Sequence, residues 1–240
     1  RRGTVLGESI VRVSGAPLWI AQALDDRRRH AYVVGKTGTG KSTLLKYMAL
    51  QDIEAGRGVC VVDPHGDLVE EILAAIPAHR VNDVILFDPS DEERPIGLNL
   101  LQARTEAQKH RIVNEFIGLL VRMYDPGQTG IVGPRFQHNV RNAMLTVMAL
   151  QDSTLIEVVR ALTDKSYVQE LLPHVKDPLV RNYWNNQIAN TSDFHKSEIL
   201  DYIVSKFSRF VGDQLVRNIV GQRETTIDFR EMMDRQQVLL

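Results

Sequence analysis

Nine residues, Gly35-Lys-Thr-Gly-Thr-Gly-Lys-Ser-Thr43, constrain this chain more than any other stretch. They satisfy G-x-x-x-x-G-K-[ST] at Gly35, Gly40, Lys41 and Ser42. From average residue usage, a chance match in a chain this long occurs roughly once in a hundred sequences. The flanks fit too. Ala31 to Gly35 (AYVVG) is predicted as a buried-type strand, and Lys41 to Ala55 carries Leu44, Leu45, Met48 and Ile53 at helical spacing. A glycine-rich loop between a strand and a helix start aims successive N–H groups into one concavity, which is a cradle for phosphate oxygens.

Each position of the loop has a role in that chemistry. Gly35 opens the pattern, Gly38 and Gly40 let the backbone approach closely, Lys41 reaches the β- and γ-phosphates, Ser42 offers its hydroxyl to Mg²⁺, and Thr43 adds one near the α-phosphate. With Thr37 and Thr39, these residues form the candidate cofactor-binding set for ATP and Mg²⁺. Hydrolysis also needs a carboxylate for metal and water. Two apolar runs end in one, VCVVD at Asp63 and VILFD at Asp88. Asp63 ends the strand that directly follows the loop's own helix, so Lys41 and Asp63 are the candidate catalytic pair, with Ser42 and Asp63 as metal ligands. The alternative for Asp63 is capping of the Gly66-Asp67 turn; for Asp88 it is an acidic solvent loop. Asp63-Pro64-His65-Gly66 also spells D-x-x-G, a switch element of GTPases. Only 21 residues separate Lys41 from Asp63, however, and no N-K-x-D guanine-reading motif occurs. Adenine is therefore the expected base. His65 fits a turn position better than a phosphate contact, and the remaining histidines lack metal-ligand spacing.

The strand-helix alternation continues through Gly58 to Asp67, a helix from Asp67 to Pro77 with Asp67 as its cap, and Asn82 to Asp91. This predicts an α/β fold with a parallel sheet. From about residue 105 only helices are predicted, with stripes at Ile112, Phe116, Leu119 and Met123, at Phe136, Val140, Met144 and Val147, and at Ile199, Ile203, Phe207 and Phe210. A mobile-looking loop, Tyr124 to Pro134, separates two of them. Four regions result: a lead-in with short strands (1–30), the first part of a nucleotide-binding core (31–104), an all-α insertion (105–232), and a returning core strand (233–240). The final Val238-Leu239-Leu240 resembles a strand with nothing after it, so the chain is read as a piece of something longer.

The 240 residues are 43% hydrophobic, enough for a large core, and no run approaches the about 18 apolar residues of a membrane span. The Arg-Arg start lacks the apolar segment of a secretory signal. A cytoplasmic setting follows, in keeping with the single Cys60, read as a small core residue. A net charge of -1 gives no global basic field, although a ring-shaped motor needs positive potential only along its channel.

Asp26 to Leu45, Gly58 to Leu68 (GVCVVDPHGDL), Pro95 to Leu101 (PIGLNLL) and Gly133 to Met148 (GPRFQHNVRNAMLTVM) together resemble the HerA-FtsK superfamily. Within it they are most similar to the TraG/TraD-type coupling ATPases of conjugation and type IV secretion, and to HerA-like relatives. Asp177 to Trp184 (DPLVRNYW) and Ile219 to Gln222 (IVGQ) extend the resemblance through most of the chain. It implies a RecA-like P-loop NTPase sheet with an inserted all-α domain, a homo-hexameric ring, and ATP-driven pulling of single- or double-stranded DNA through a central channel. It also implies a membrane anchor in the coupling proteins; separately, a large insertion on a motor scaffold usually carries specificity, which makes the all-α domain the candidate for contact with DNA or with a secretion or DNA-processing partner. In this family the Asp-Glu pair that drives hydrolysis, the sensors and the arginine finger lie downstream of residue 240. Asp63 then becomes auxiliary, and these residues bind ATP while hydrolysing it poorly. The alternatives are energising of protein or pilus transport, a nucleotide-regulated assembly protein, and a small-molecule kinase or GTPase.

Overall fold

The computed structural model describes residues 3–189 and 193–240. The Arg1-Arg2 start and residues 190–192 of the helical block lie outside the described residues. Two compact units divide the chain: Arg1–Phe87 with Asp228–Leu240, and Asp88–Ile227. The sequence reading drew these borders at 104/105 and 232/233.

The first unit opens with an antiparallel hairpin of β1 (Gly3–Val13) and β2 (Ala16–Ala23). Ser14 and Gly15 make its two-residue turn with φ of 52° and 79°, the left-handed pair that matches the twist of the strands. A register shift between Val5 and Gly7 leaves Leu6 opposite no residue of β2. Polar bonds clamp the hairpin to α1 (Lys41–Glu54). The Gln51 amide donates to the Val5 carbonyl at 2.9 Å and accepts from the Val5 N–H at 2.8 Å. Buried Asp52 meets Arg27 at 2.6 Å and Arg57 at 2.8 Å, and Arg27 also donates to Thr4 Oγ1 at 2.7 Å. A buried carboxylate is tolerated here because it is paired and hydrogen-bonded.

A parallel sheet follows, built from β3 (Val59–Cys60), β4 (Val84–Ile85) and β5 (Val238–Leu239) in the order β3-β5-β4. The strand farthest along the chain is therefore the central one. Its ladder runs past the short strands, through Val61 N–H to the Leu239 carbonyl at 2.9 Å and Phe87 N–H to the Leu240 carbonyl at 2.7 Å. Beneath it Ala49 and Ile53 of α1, Ile72 of α2 (Asp67–Leu73), Val238 and Leu240 form one buried cluster. Arg80, in the 3₁₀ stretch Ala78–Asp83, is buried against this region. It donates to the Ile53 carbonyl at 3.1 Å and the Gln236 carbonyl at 2.6 Å, and its Nε lies 2.8 Å from Asp83 Oδ2. α10 (Phe229–Asp234) leads into β5.

Two expectations about the strands of this unit fail. Ala31 to Gly35 forms no strand, and Tyr32 and Val34 are 92% and 75% exposed. Apolar alternation makes a strand only where a neighbour completes the ladder, and no described strand pairs with these residues. Cys60 is exposed instead of buried. Successive side chains of a strand point to opposite faces, so Val59 and Val61 pack on the cluster while Cys60 and Val62 turn away from it, Val62 being 87% exposed.

In the second unit every regular element among the described residues is helical. The order is α3 (Glu106–Tyr124), α4 (Pro134–Val147), α5 (Leu155–Thr163), α6 (Lys165–Leu171), α7 (Pro178–Asn182), a π stretch (Tyr183–Ile188), α8 (Asp193–Val211) and α9 (Gln214–Val220). Side chains placed just before the helices start them. Thr105, Asp164, Asp177 and Asp213 accept first-turn N–H groups, and Thr154 forms a capping box with Glu157. Phe136, Val140, Met144 and Val147 are buried, as are Ile203 and Phe207. On α3 the buried stripe is Val113, Phe116, Ile117 and Leu120, shifted from the expected Ile112, Phe116, Leu119 and Met123. Both series have helical spacing and share Phe116, and packing against α4 selects between them.

The Tyr124 to Pro134 loop is also corrected, because it is organised around one buried side chain. Asp125 accepts the N–H groups of Thr129, Gly130 and Val132 and the Thr129 hydroxyl, over 2.6 to 3.2 Å. Elsewhere the motif stretches meet one another. Leu98 N–H donates to the Ile219 carbonyl at 3.0 Å, and buried Asn99 spends its amide on the carbonyls of Ser153 and Arg223. The Tyr183 hydroxyl donates to Asn139 at 2.5 Å and Trp184 Nε1 to Thr146 at 2.7 Å, joining DPLVRNYW to α4. Burial raises the Tyr183 phenol well above its ordinary value. Among the described residues no helix is long and apolar enough to cross a membrane.

Candidate phosphate-binding site

Residues 35–40 form an exposed loop that feeds directly into α1. Gly38 and Gly40 have φ of 81° and 86°, a region costly for residues with a Cβ, and Gly40 occupies the N-cap. Gly35 is favoured for a different reason. A Cβ there would stand 2.5 Å from Thr39 Oγ1.

The Lys36 carbonyl gathers the loop around itself. It accepts Lys41 Nζ at 2.9 Å, Thr39 Oγ1 at 2.8 Å and Thr39 N–H at 3.3 Å. The first intrahelical bond runs from Leu44 N–H to the Gly40 carbonyl at 2.9 Å. The N–H groups of Lys41, Ser42 and Thr43 are therefore the orphan donors of the helix start, at the positive end of its dipole. Ser42 and Thr43 are exposed beside them, and Thr37 is exposed on the loop. The eight candidate positions from Gly35 to Thr43 thus share one short segment whose donors and ammonium suit an anion. The Lys36 carbonyl was missed in the sequence, since a backbone acceptor leaves no residue-type signal.

Asp63 is placed otherwise. Its Oδ1 accepts His65 N–H at 3.2 Å and its Oδ2 accepts Leu68 N–H at 2.9 Å. The bond from His65, then that from Leu68, holds the carboxyl below the usual carboxylate range. These are the turn-capping bonds of one of its two readings. Asp67, expected as the cap, lies in the first turn of α2, and the cap position belongs to Gly66 at φ 89°. Asp88 accepts the Ser90 hydroxyl at 2.7 Å and the Ser90 N–H at 2.8 Å, and the hydroxyl first of all lowers its pKa. Among the described residues, no group of three or more His, Cys, Asp or Glu could hold a metal ion. The Ser42 hydroxyl at the helix start still suits a cation shared with phosphate oxygens.

The fold has solved relatives. The chain matches the bacterial conjugative coupling protein TrwBdeltaN70, in an unbound form, with 18% identity and a TM-score of 0.53, covering 95% of this chain and 48% of that one. It matches TrwB in complex with ADP and Mg²⁺ with 18% identity and a TM-score of 0.52, over 95% and 49% of the two chains. The complex of TrwB with the non-hydrolysable ATP analogue ADPNP gives 18% identity and a TM-score of 0.50 over the same shares. This likeness establishes a RecA-like P-loop fold, and the chain spans about half the length of the structures it matches. No curated protein matches the chain. The model of the helicase HerA central domain matches residues 23–240, nearly the whole chain, which therefore belongs to that family of HerA-FtsK P-loop ATPases.

Proposed function

We propose that the loop from Gly35 to Thr43 binds ATP with Mg²⁺, and that this chain is the ATP-binding part of a ring-shaped, ATP-driven DNA translocase. The observation that carries the reading is the loop itself, with two left-handed glycines, three orphan N–H groups and the Lys41 ammonium at the start of α1. Family membership and the nucleotide complexes of TrwB support it. On phosphate arrival Lys41 exchanges the Lys36 carbonyl for β- and γ-phosphate oxygens, while the α1 N–H groups and Thr43 hold the rest of the chain of phosphates. Ser42 holds the cation. When bound, Mg²⁺ neutralises charge on the phosphates as it develops in transfer. Asp63, engaged in its own turn, is an auxiliary residue, so residues 1–240 bind ATP and turn it over slowly.

The remaining parts of the proposal concern the assembly. Residues 105–232 act as an all-α insertion in the core, meeting DNA or a secretion or DNA-processing partner. The whole protein works as a homo-hexamer on the cytoplasmic side, holding DNA by its phosphates without reading sequence. The test is ATP turnover by the full-length protein with and without DNA, beside Lys41→Ala. Turnover that rises with DNA and falls roughly a hundredfold or more in the variant is expected. Turnover indifferent to DNA, yet lost in the variant, would overturn the translocase and favour an ATPase of protein or pilus transport.

A further inference from the structure

We infer that the groove between β1 and α1 is the base subsite of this nucleotide site, with Tyr47 as the platform on which the base stacks. The inference rests on the reading of Gly35 to Thr43 as the phosphate cradle and assigns the part of the nucleotide that lies beyond it. The groove has a volume of about 580 Å³, within the range of small-ligand sites. Gly40 and Thr43 form one end of it, so it is continuous with the loop. Leu6 and Gly7 of β1 make one wall, and Leu44 and Tyr47 of α1 make the other.

Helix geometry supplies the path. Thr43 and Tyr47 stand one turn apart on the same face, about 6 Å along the axis. Phosphates seated on the first-turn N–H groups, with the α-phosphate at Thr43, deliver sugar and base along this face. The walls suit that cargo. Leu6, Gly7, Leu44 and Tyr47 carry no formal charge, and Tyr47 is 58% exposed as a residue, with the Lys46 ammonium 5.9 Å from its ring centroid, which leaves ring surface for an aromatic partner. The bulge at Leu6 departs from regular alternation, so consecutive residues Val5, Leu6 and Gly7 all line the groove. A Cβ added at Gly7 would meet nothing within 4 Å, so the wall is open at that point. Both walls are fixed in place, because Gln51 on α1 exchanges two hydrogen bonds with Val5 on β1. The groove is therefore held open by the fold before any ligand arrives.

The experiment is calorimetric titration of the full chain with ATP and, separately, with inorganic tripolyphosphate, each with Mg²⁺. Tyr47→Ala is expected to weaken ATP roughly tenfold, the scale of one base–aromatic stack, while changing tripolyphosphate less than about twofold. Tyr47→Phe, which keeps the ring, should bind ATP like the parent. Lys41→Ala should weaken both ligands. Equal loss of both ligands in Tyr47→Ala, or loss of neither, overturns the base subsite and leaves the phosphate cradle standing. Failure of the parent chain to bind either ligand overturns the cradle and the subsite together.

Discussion

Asp63 and Asp164 each hold backbone N–H groups at the start of a helix, and hydrogen bonding to the ionised form keeps both below the ordinary carboxylate value. For Asp164 the Ser166 hydroxyl contributes most, followed by Tyr167 N–H, and the pKa falls from 3.8 to about 2. A folded pKa below the unfolded one means stability that is fully present above the unfolded value and lost as pH falls through the folded one. The window for Asp164 is therefore from about 4 down to about 2. Carboxyl resonances followed by NMR should give a midpoint near 2 for Asp164 and below 3.8 for Asp63; ordinary midpoints would show that these bonds are not kept in solution. At this scale the glycines, Lys41 and Ser42 were legible in the sequence, because their pattern encodes a backbone shape. Asp125 was not. Its four bonds depend on how residues 129–132 curl back, and Asp-Pro-Gly reads from composition alone as an open loop.

Arg80 ties together elements that the chain keeps far apart, binding the end of α1 through Ile53, its own 3₁₀ stretch through Asp83, and the approach to β5 through Gln236. Hydrogen bonds from a charged group are the strong ones, and truncation removes the donor of the Gln236 carbonyl and leaves the Ile53 carbonyl with the Gly56 N–H alone. Arg80→Ala is expected to cost about 3 kcal/mol and to lower the melting temperature by roughly 10 °C. Circular dichroism melts check this, and a shift within about 2 °C would show the contacts to be replaceable. Among elements, α1, α2, α3, α4 and α8 could be placed from periodicity and end signals, since those are local properties. The state of Ala31 to Gly35 could not, because a ladder needs a partner whose position is fixed elsewhere. Nor could the inward side of α3, where a wide apolar arc leaves the choice to α4.

The second unit is one unbroken segment, Asp88–Ile227, with its own buried core of Val113, Phe116, Val140, Met144, Val147, Leu155, Ile203 and Phe207. A segment that buries this much apolar surface within itself meets the requirement for folding alone. Residues 88–227 expressed separately are expected to be helical by far-UV circular dichroism and to unfold cooperatively; a broad, non-cooperative melt would show that they depend on the rest of the chain. The change of architecture after about residue 105 was visible as the end of the strand-helix alternation, whereas the border at Asp88 was not, since Pro95 to Leu101 forms no strand yet bonds to residues between Ile219 and Thr226.

The central place of β5 also dictates an order of events during synthesis. Gly58 and Gln236, which bond beside the β3-β5 ladder, lie 178 positions apart. β3 and β4 leave the ribosome early but do not pair with each other, each waiting for the same late strand. The helical segment, complete before β5 is translated, can fold while the sheet is still unpaired. Closing that sheet is a slow, long-range step, and until it happens the strand edges stand open to other chains. The unit that carries the phosphate loop thus closes its sheet only after the helical segment is made, and it is the one more in need of protection while it waits.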